Sequence, residues 1–216
     1  MKEFVLFDLG NTLVSYYELR DFPPILQAAI GEVERFLGTK AEGERVAAED
    51  FEAKDFCVRP LEGRLRCIFP NAAWSEDIAV EACRRFLGPI FALARVYDDV
   101  LPTLDALRAQ GVKMGIVSNT PWGSPAGLWR EEMARLGLTD AVDVLVFCPD
   151  CGWRKPARPI FDHALARLGA SPEQCVFVGD DPRWDIAGPQ ALGMEAVLID
   201  RRTQALPDVL KGVVRL

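Results

Sequence analysis

The chain has 216 residues, long for a single compact layer and short for two independent enzymes, so one core carrying a sizeable insertion suits it best. Half of the residues are apolar and 26% are charged, the balance of a globular protein with a real core. A formal net charge of −7 argues against a general affinity for DNA or RNA, while leaving room for a local positive pocket. No apolar run approaches the roughly 20 residues of a membrane span.

The first apolar run, Phe4–Phe7, predicts a buried strand. It meets Asp8 too soon, and without a small-residue cleavage site, to read as a secretory signal. The cysteines at positions 57, 67, 83, 148, 151 and 175 are scattered, and they are expected to be reduced, mostly buried thiols of a cytoplasmic protein. Asp8-Leu9-Gly10-Asn11-Thr12 follows the strand. Residues 14–95 then hold no clear buried strand, only helical patterns at 25–37, near 46–56 and at 78–93, which predict a helical insertion. Within it, Tyr16 and Tyr17 sit at the entry. Arg59, Arg64 and Arg66 fall in a Pro/Gly-broken stretch that reads as a solvated charged loop or as a substrate-facing one.

An alternation of strand and helix resumes near Tyr97. Leu101, Leu104 and Leu107 mark a helix stopping at Gly111, and a strand follows at 114–117. Ser118-Asn119-Thr120 and the turn Pro121-Trp122-Gly123 come next. A helix through Leu128, Met133 and Leu136 ends at Gly137, and a strand follows at Val144–Phe147. Cys148-Pro149-Asp150-Cys151 resembles half a zinc knuckle, but a closed site needs four ligands and no second pair exists. Lys155-Pro156 then opens a helix through Ile160, Phe161, Ala164, Leu165 and Leu168 to Gly169. His163 lies within it and reads as a surface or packing residue. The strand at 176–178 leads to Gly179-Asp180-Asp181, with Asp185 one turn on. A helix through Ile186 and Leu192 to Gly193 and a strand at 196–199 complete the pattern. Strands alternating with helices predict an α/β fold, a parallel sheet covered on both faces. Each helix stops at a glycine, as left-handed caps favour.

Ligands of such sheets bind at the carboxyl ends of the strands. There the sequence places Asp8, Ser118, Lys155 and Asp180 after four successive strands. This ordered set resembles the haloacid dehalogenase superfamily. Asp8-Leu9-Gly10-Asn11-Thr12 is similar to its first motif, usually Asp-x-Asp-x-Thr. Ser118-Asn119 is similar to the second, Lys155-Pro156 to the third, and Gly179-Asp180-Asp181 with Asp185 to the fourth.

The resemblance implies a Rossmann-like catalytic core of residues 1–13 and 96–216 with a helical cap of residues 14–95. It implies a phosphatase acting on small phosphorylated metabolites, with Asp8 as nucleophile and Ser118 and Lys155 as catalytic partners. Mg²⁺ would be held by Asp8, the Gly10 carbonyl and Asp180, with Asp181 or Asp185 behind them. Thr12, Asn119 and Trp122 are candidate substrate contacts, although burial against the cap accounts for Trp122 equally well.

One departure matters. The family's second aspartate, its general acid and base, is Gly10 here. Such help is typically worth about 10²–10⁴-fold in rate. Without it, a preference for good leaving groups, such as aryl or acyl phosphates, is expected. A 2-haloacid dehalogenase, whose leaving halide needs no proton, and a binding protein that has lost turnover are the alternatives. Neighbouring acids at 180, 181 and 185 favour a site built around a divalent cation.

Overall fold

The computed structural model describes residues 1–17, 19–42 and 55–214. The chain begins with β1 (Phe4–Phe7), buried throughout. A tight turn follows, in which Asn11 adopts φ 53° and its N–H donates to the Val14 carbonyl at 2.8 Å. β2 (Val14–Ser15) leads into the insertion of α1 (Phe22–Leu37), α2 (Leu61–Ile68) and α3 (Glu76–Phe91). The chain returns through β3 (Arg95–Val96), which pairs antiparallel with β2, Val14 opposite Val96 and Ser15 opposite Arg95. Entry and exit of the insertion thus form one short two-stranded ribbon. Inside it, α1 packs along α3 through Ala29 and Val33, and Ser75 caps α3 by accepting the Ile78 N–H at 3.2 Å.

The strand–helix alternation follows as expected: α4 (Val100–Ala109), β4 (Lys113–Ser118), α5 (Ala126–Arg135), β5 (Val144–Phe147), α6 (Arg158–Leu168) and β6 (Cys175–Gly179). One wide helical turn, Pro182–Ala187, runs into α7 (Gly188–Gln190). β7 (Glu195–Leu198) and α8 (Leu206–Leu210) complete the chain. Gly111, Gly137, Gly169 and Gly193, the expected helix stops, all have positive φ.

The main sheet is parallel, in the order β5-β4-β1-β6-β7. From β1 the order runs outward in both directions, which opens a crevice at the carboxyl ends of the central strands. The register aligns those ends: Phe7 lies beside Ile116 of β4 and Val178 of β6. Alternate side chains feed two cores, Val5 and Phe7 joining the cluster that reaches the insertion, Phe4 and Leu6 the cluster under α6.

The structure differs from the sequence reading in three places. Residues 61–68 form α2, because Leu61, Leu65 and Ile68 are buried along one face and Pro60 stands at the N-cap, where proline does no harm. The last helix expected, through Ile186 and Leu192, is the wide turn plus a single short turn. The strand expected at 196–199 begins one residue earlier. The helical pattern near 46–56 falls almost wholly outside the described residues.

A strap from the insertion also reaches the core. The Val58 N–H donates to the Gly152 carbonyl and the Arg154 N–H to the Phe56 carbonyl, both at 2.9 Å, around an antiparallel bridge between Cys57 and Trp153. Phe56 meets the Trp184 ring edge-on at 6.0 Å. The Arg59 carbonyl comes so near Gly123 that a Cβ there would lie 2.4 Å from it, so only glycine fits.

Candidate active site

β1 ends at Phe7, and Asp8 follows at the crevice with its N–H donating to the Val178 carbonyl at 2.9 Å. Ser118, the last residue of β4, donates its hydroxyl to Asp8 Oδ1 at 3.2 Å. Lys155, 1% exposed, reaches the same Oδ1 at 2.5 Å and Asp185 Oδ1 at 2.7 Å. Its backbone is gripped at both ends by Asn119, whose Oδ1 accepts the Lys155 N–H at 2.7 Å while Nδ2 donates to the Lys155 carbonyl at 3.2 Å. Asp185 sits against Gly179, where a Cβ would fall 2.4 Å from its carboxylate, so glycine at the end of β6 is what admits the acid.

Asp8, Asp180 and Asp185 each present an oxygen within 4.8 Å of the others. Burial, then the charges of Asp8 and Asp185, push the Asp180 carboxyl up to about 7. Burial likewise raises Asp185 to about 6, with the Lys155 ammonium opposing. Burial alone would lower the Lys155 pKa; Asp185 and Asp8 outweigh it and hold the lysine protonated. Three carboxylates against one ammonium leave two negative charges when all are ionised. Hard oxygen donors with that residual charge fit a divalent cation such as Mg²⁺, and the Gly10 backbone lines the same cleft.

Five sequence-predicted residues therefore meet at one point: Asp8, Ser118, Lys155, Asp180 and Asp185. Three others stand apart from that point. Asp181 stands outside the acidic cluster, because its Oδ1 caps the following turn, accepting the N–H groups of Arg183 at 2.8 Å and Trp184 at 3.0 Å. Trp122 does not line the cleft. It is buried against the insertion, stacked on Phe22 at 5.7 Å and edge-on to Phe86 at 5.1 Å. Thr12 is fully buried and does not line the cleft, and its hydroxyl has no hydrogen-bond partner among the described residues. Asn119 lines the cleft, but its side chain is committed to Lys155.

The cleft over the cluster holds about 940 Å³. Ser15, Tyr16, Tyr17, Asp21 and Ile90 line it from the insertion, and Tyr97, Leu198, Ile199, Arg201 and Arg202 from the core. Arg59, Arg64 and Arg66 are not in its wall. Arg59 pairs with Asp55 and Arg66 lies over the Trp74 ring at 5.1 Å. Sequence reasoning missed Tyr97, Arg201 and Arg202. The strand-end rule reaches Arg201 and Arg202, three and four residues past the end of β7 at Leu198. Cys148 and Cys151 make backbone contacts: the Cys148 sulfur accepts the Thr120 N–H at 3.2 Å, and Cys151 donates to the Trp153 carbonyl at 3.4 Å.

A parallel sheet with an aspartate at the end of its central strand, faced by a buried lysine and two further acids, defines the haloacid dehalogenase type of hydrolase. The sequence profile of the haloacid dehalogenase-like hydrolases matches residues 3–193, and the chain belongs to that family. It is 40% identical over 218 aligned positions to ribulose-1,5-bisphosphate 5-phosphatase of Halopiger xanaduensis, covering 91% of this chain and 84% of that one. It is 36% identical over 110 residues to glyceraldehyde 3-phosphate phosphatase of Methanothermobacter thermautotrophicus, covering 51% of this chain and about half (47%) of that protein. The crystal structure of a haloacid dehalogenase phosphatase from Thermococcus onnurineus superposes with a TM-score of 0.65 at 28% identity, covering 95% of this chain and 89% of that one. A 2-haloacid dehalogenase from Pseudomonas syringae superposes with a TM-score of 0.67 over 99% of this chain and 100% of its own, but at 24% identity it shows the fold alone. Family and relatives together mark the chain as a phosphatase-like hydrolase. Among the described residues no helix is long and apolar enough to cross a membrane.

Proposed function

We propose that this chain is a Mg²⁺-dependent phosphatase of small phosphorylated metabolites, acting in the cytoplasm through an aspartyl-phosphate on Asp8. The observation that carries the reading is Lys155, fully buried and bonded to both Asp8 and Asp185 beside the third acid, Asp180. Asp8 Oδ attacks phosphorus, a known use of a carboxylate nucleophile. The Lys155 ammonium offsets the repulsion between that carboxylate and the incoming phosphate. Ser118 Oγ, already at Asp8, turns to a phosphoryl oxygen. Asp8, Asp180 and the Gly10 carbonyl would hold Mg²⁺, with Asp185 behind them, and the ion supplies the positive charge that lets a phosphate approach three carboxylates.

Residues 14–95 serve as a cap that turns at the β2–β3 ribbon, and the substrate lies between cap and core. The names of the relatives favour a phosphorylated sugar or triose. Asp180 and Asp185 beside Asp8 outnumber the single Lys155 ammonium, which disfavours the carboxylate of a bare 2-haloacid in a site without a metal ion. The test is release of phosphate from 4-nitrophenyl phosphate, ribulose 1,5-bisphosphate and glyceraldehyde 3-phosphate, with Mg²⁺ and after EDTA. Turnover that EDTA abolishes and Mg²⁺ restores is expected. EDTA-resistant halide release from 2-chloropropionate would replace this reading with the dehalogenase.

A further inference from the structure

One phosphoryl group at the acidic cluster leaves most of the 940 Å³ cleft to the rest of the substrate. Sites that enclose a whole small molecule measure about 300–1,000 Å³, so this one has room for a sizeable ligand. Among the residues lining it, the acids are Asp21, Asp180 and Asp200, and the cations are Arg201 and Arg202. Both cations come from one short segment. β7 ends at Leu198, and the Ile199 N–H still donates to the Gly179 carbonyl at 2.9 Å, so the chain leaves the sheet beside Asp180. In the sheet β7 is separated from β1 by β6 alone. Two strand spacings, about 9–10 Å, therefore lie between the strand that carries Asp8 and the one that carries the arginines.

The two arginines differ in setting. Arg201 has a side chain only 6% exposed, and its two Nη atoms clamp both oxygens of Asp99, Nη1 at 2.9 Å. Nη1 also donates to the Gln204 carbonyl at 3.3 Å, and the guanidinium lies 4.1 Å over the Tyr97 ring. Asp99 Oδ2 accepts the Leu206 N–H at 2.7 Å as well, so Arg201 is the post that fixes the segment to the core. Arg202 is open, its side chain 88% exposed on the cleft wall. Its Nε and Nη2 donate to Asp200 Oδ1 and Oδ2, both at 2.9 Å, and its own N–H donates to the same Oδ1 at 3.0 Å. The fork is thereby oriented. An ion pair open to water contributes little to stability, so sharing this guanidinium with an anion costs the fold little.

We propose that Arg202, on the segment that Arg201 anchors, binds a second phosphate of the substrate, which makes the substrate class a small sugar phosphorylated at both ends. The inference rests on the phosphatase reading above. The acidic cluster takes the phosphate that is cleaved, and Arg202 takes the one that is kept. A planar guanidinium matches two phosphate oxygens at once, which a point charge does not. The Lys155 ammonium is already shared between Asp8 and Asp185, so it serves the reacting phosphate alone. A pentose or hexose chain carries its end phosphates far enough apart to meet both sites.

The experiment measures kcat/KM for ribulose 1,5-bisphosphate and for ribulose 5-phosphate, with Mg²⁺, in the wild type and in Arg202→Gln. The two sugars differ only in the second phosphate, so their ratio reads the contact at Arg202 and not the chemistry at Asp8. The wild type is expected to prefer the bisphosphate by about 10-fold or more, the worth of a hydrogen bond to a charged group. Arg202→Gln, a change at an exposed side chain, is expected to lower that ratio about 10-fold. Calorimetric titration in the Asp8→Asn background should show the Kd for the bisphosphate rising by the same factor when Arg202→Gln is added. A wild type without preference for the bisphosphate, a ratio or Kd unchanged in Arg202→Gln, or turnover of 4-nitrophenyl phosphate with none of either sugar would overturn the second-phosphate site. Each of these leaves the phosphatase reading standing. Silence of the wild type on all three esters with Mg²⁺ would overturn that reading, and this one with it.

Discussion

Metal binding at the three carboxylates should be visible as a stability that depends on pH in opposite ways with and without Mg²⁺. Asp180 and Asp185 are pushed up to about 7 and about 6, above the roughly 3.9 of a free aspartate. The native protein therefore holds protons that the unfolded chain has released. Between about pH 4 and pH 7 its metal-free stability falls as pH rises, because ionisation adds charge to a buried acidic cluster. On the proposed function Mg²⁺ competes for the same oxygens, so it is expected to bind weakly at pH 5 and fully at pH 8. At 100 times its Kd a ligand that binds only the native state adds about 2.7 kcal/mol. For a domain of this size, 1 kcal/mol moves the melting point by about 2–4 °C, so the rise at pH 8 is about 5–11 °C. Differential scanning fluorimetry across pH 5–8, with Mg²⁺ and with EDTA, measures both trends. An equal Mg²⁺ shift at pH 5 and pH 8, or a shift that survives Asp180→Asn, would refute the reasoning.

Asp8→Asn is expected to abolish phosphate release in the same assay while the circular dichroism spectrum stays unchanged, since the shape is kept and only the attacking anion is lost. Lys155→Met leaves Asp8 and Asp185 facing each other without their shared ammonium, and urea denaturation at pH 8 should show a loss of about 3–5 kcal/mol. That loss should shrink toward pH 5, below the raised values of Asp180 and Asp185, where those two carboxyls hold protons. Trp122→Ala empties the space between Phe22 and Phe86 and is expected to cost about 3–5 kcal/mol in the same measurement, a structural loss that activity at saturating substrate need not mirror.

The central strands and the residues at their ends were legible because strands covered on both faces must be apolar throughout and must stop at the first polar group. Asp8, Ser118 and Asp180 are those groups. Lys155 and Asp185 lie further past their strand ends, on the loop after β5 and the turn after β6, and the geometry shows why they matter: there one ammonium bridges two acids. Burial produced by distant parts of the chain was less legible. In the sequence Trp122 reads equally well as a substrate contact or as an aromatic buried against the cap, and only Phe22 and Phe86 arriving from the insertion show the burial. Asp181 reads as one more ligand until the backbone at Arg183 and Trp184 claims it. α2 was hidden by Pro60 and Gly63, although the spacing of Leu61, Leu65 and Ile68 carried the helical signal.

The strap changes what kind of joint the insertion can have. A body fixed at one ribbon is free to swing about it, whereas a second attachment away from that axis turns the joint into a truss. Here the second attachment is two backbone hydrogen bonds and a ring contact, and they land on Gly152, Arg154 and Trp184. Arg154 and Trp184 are the chain neighbours of Lys155 and Asp185. The strap therefore anchors the insertion on the chain neighbours of the ammonium and of one of its acids, beside the charge cluster itself.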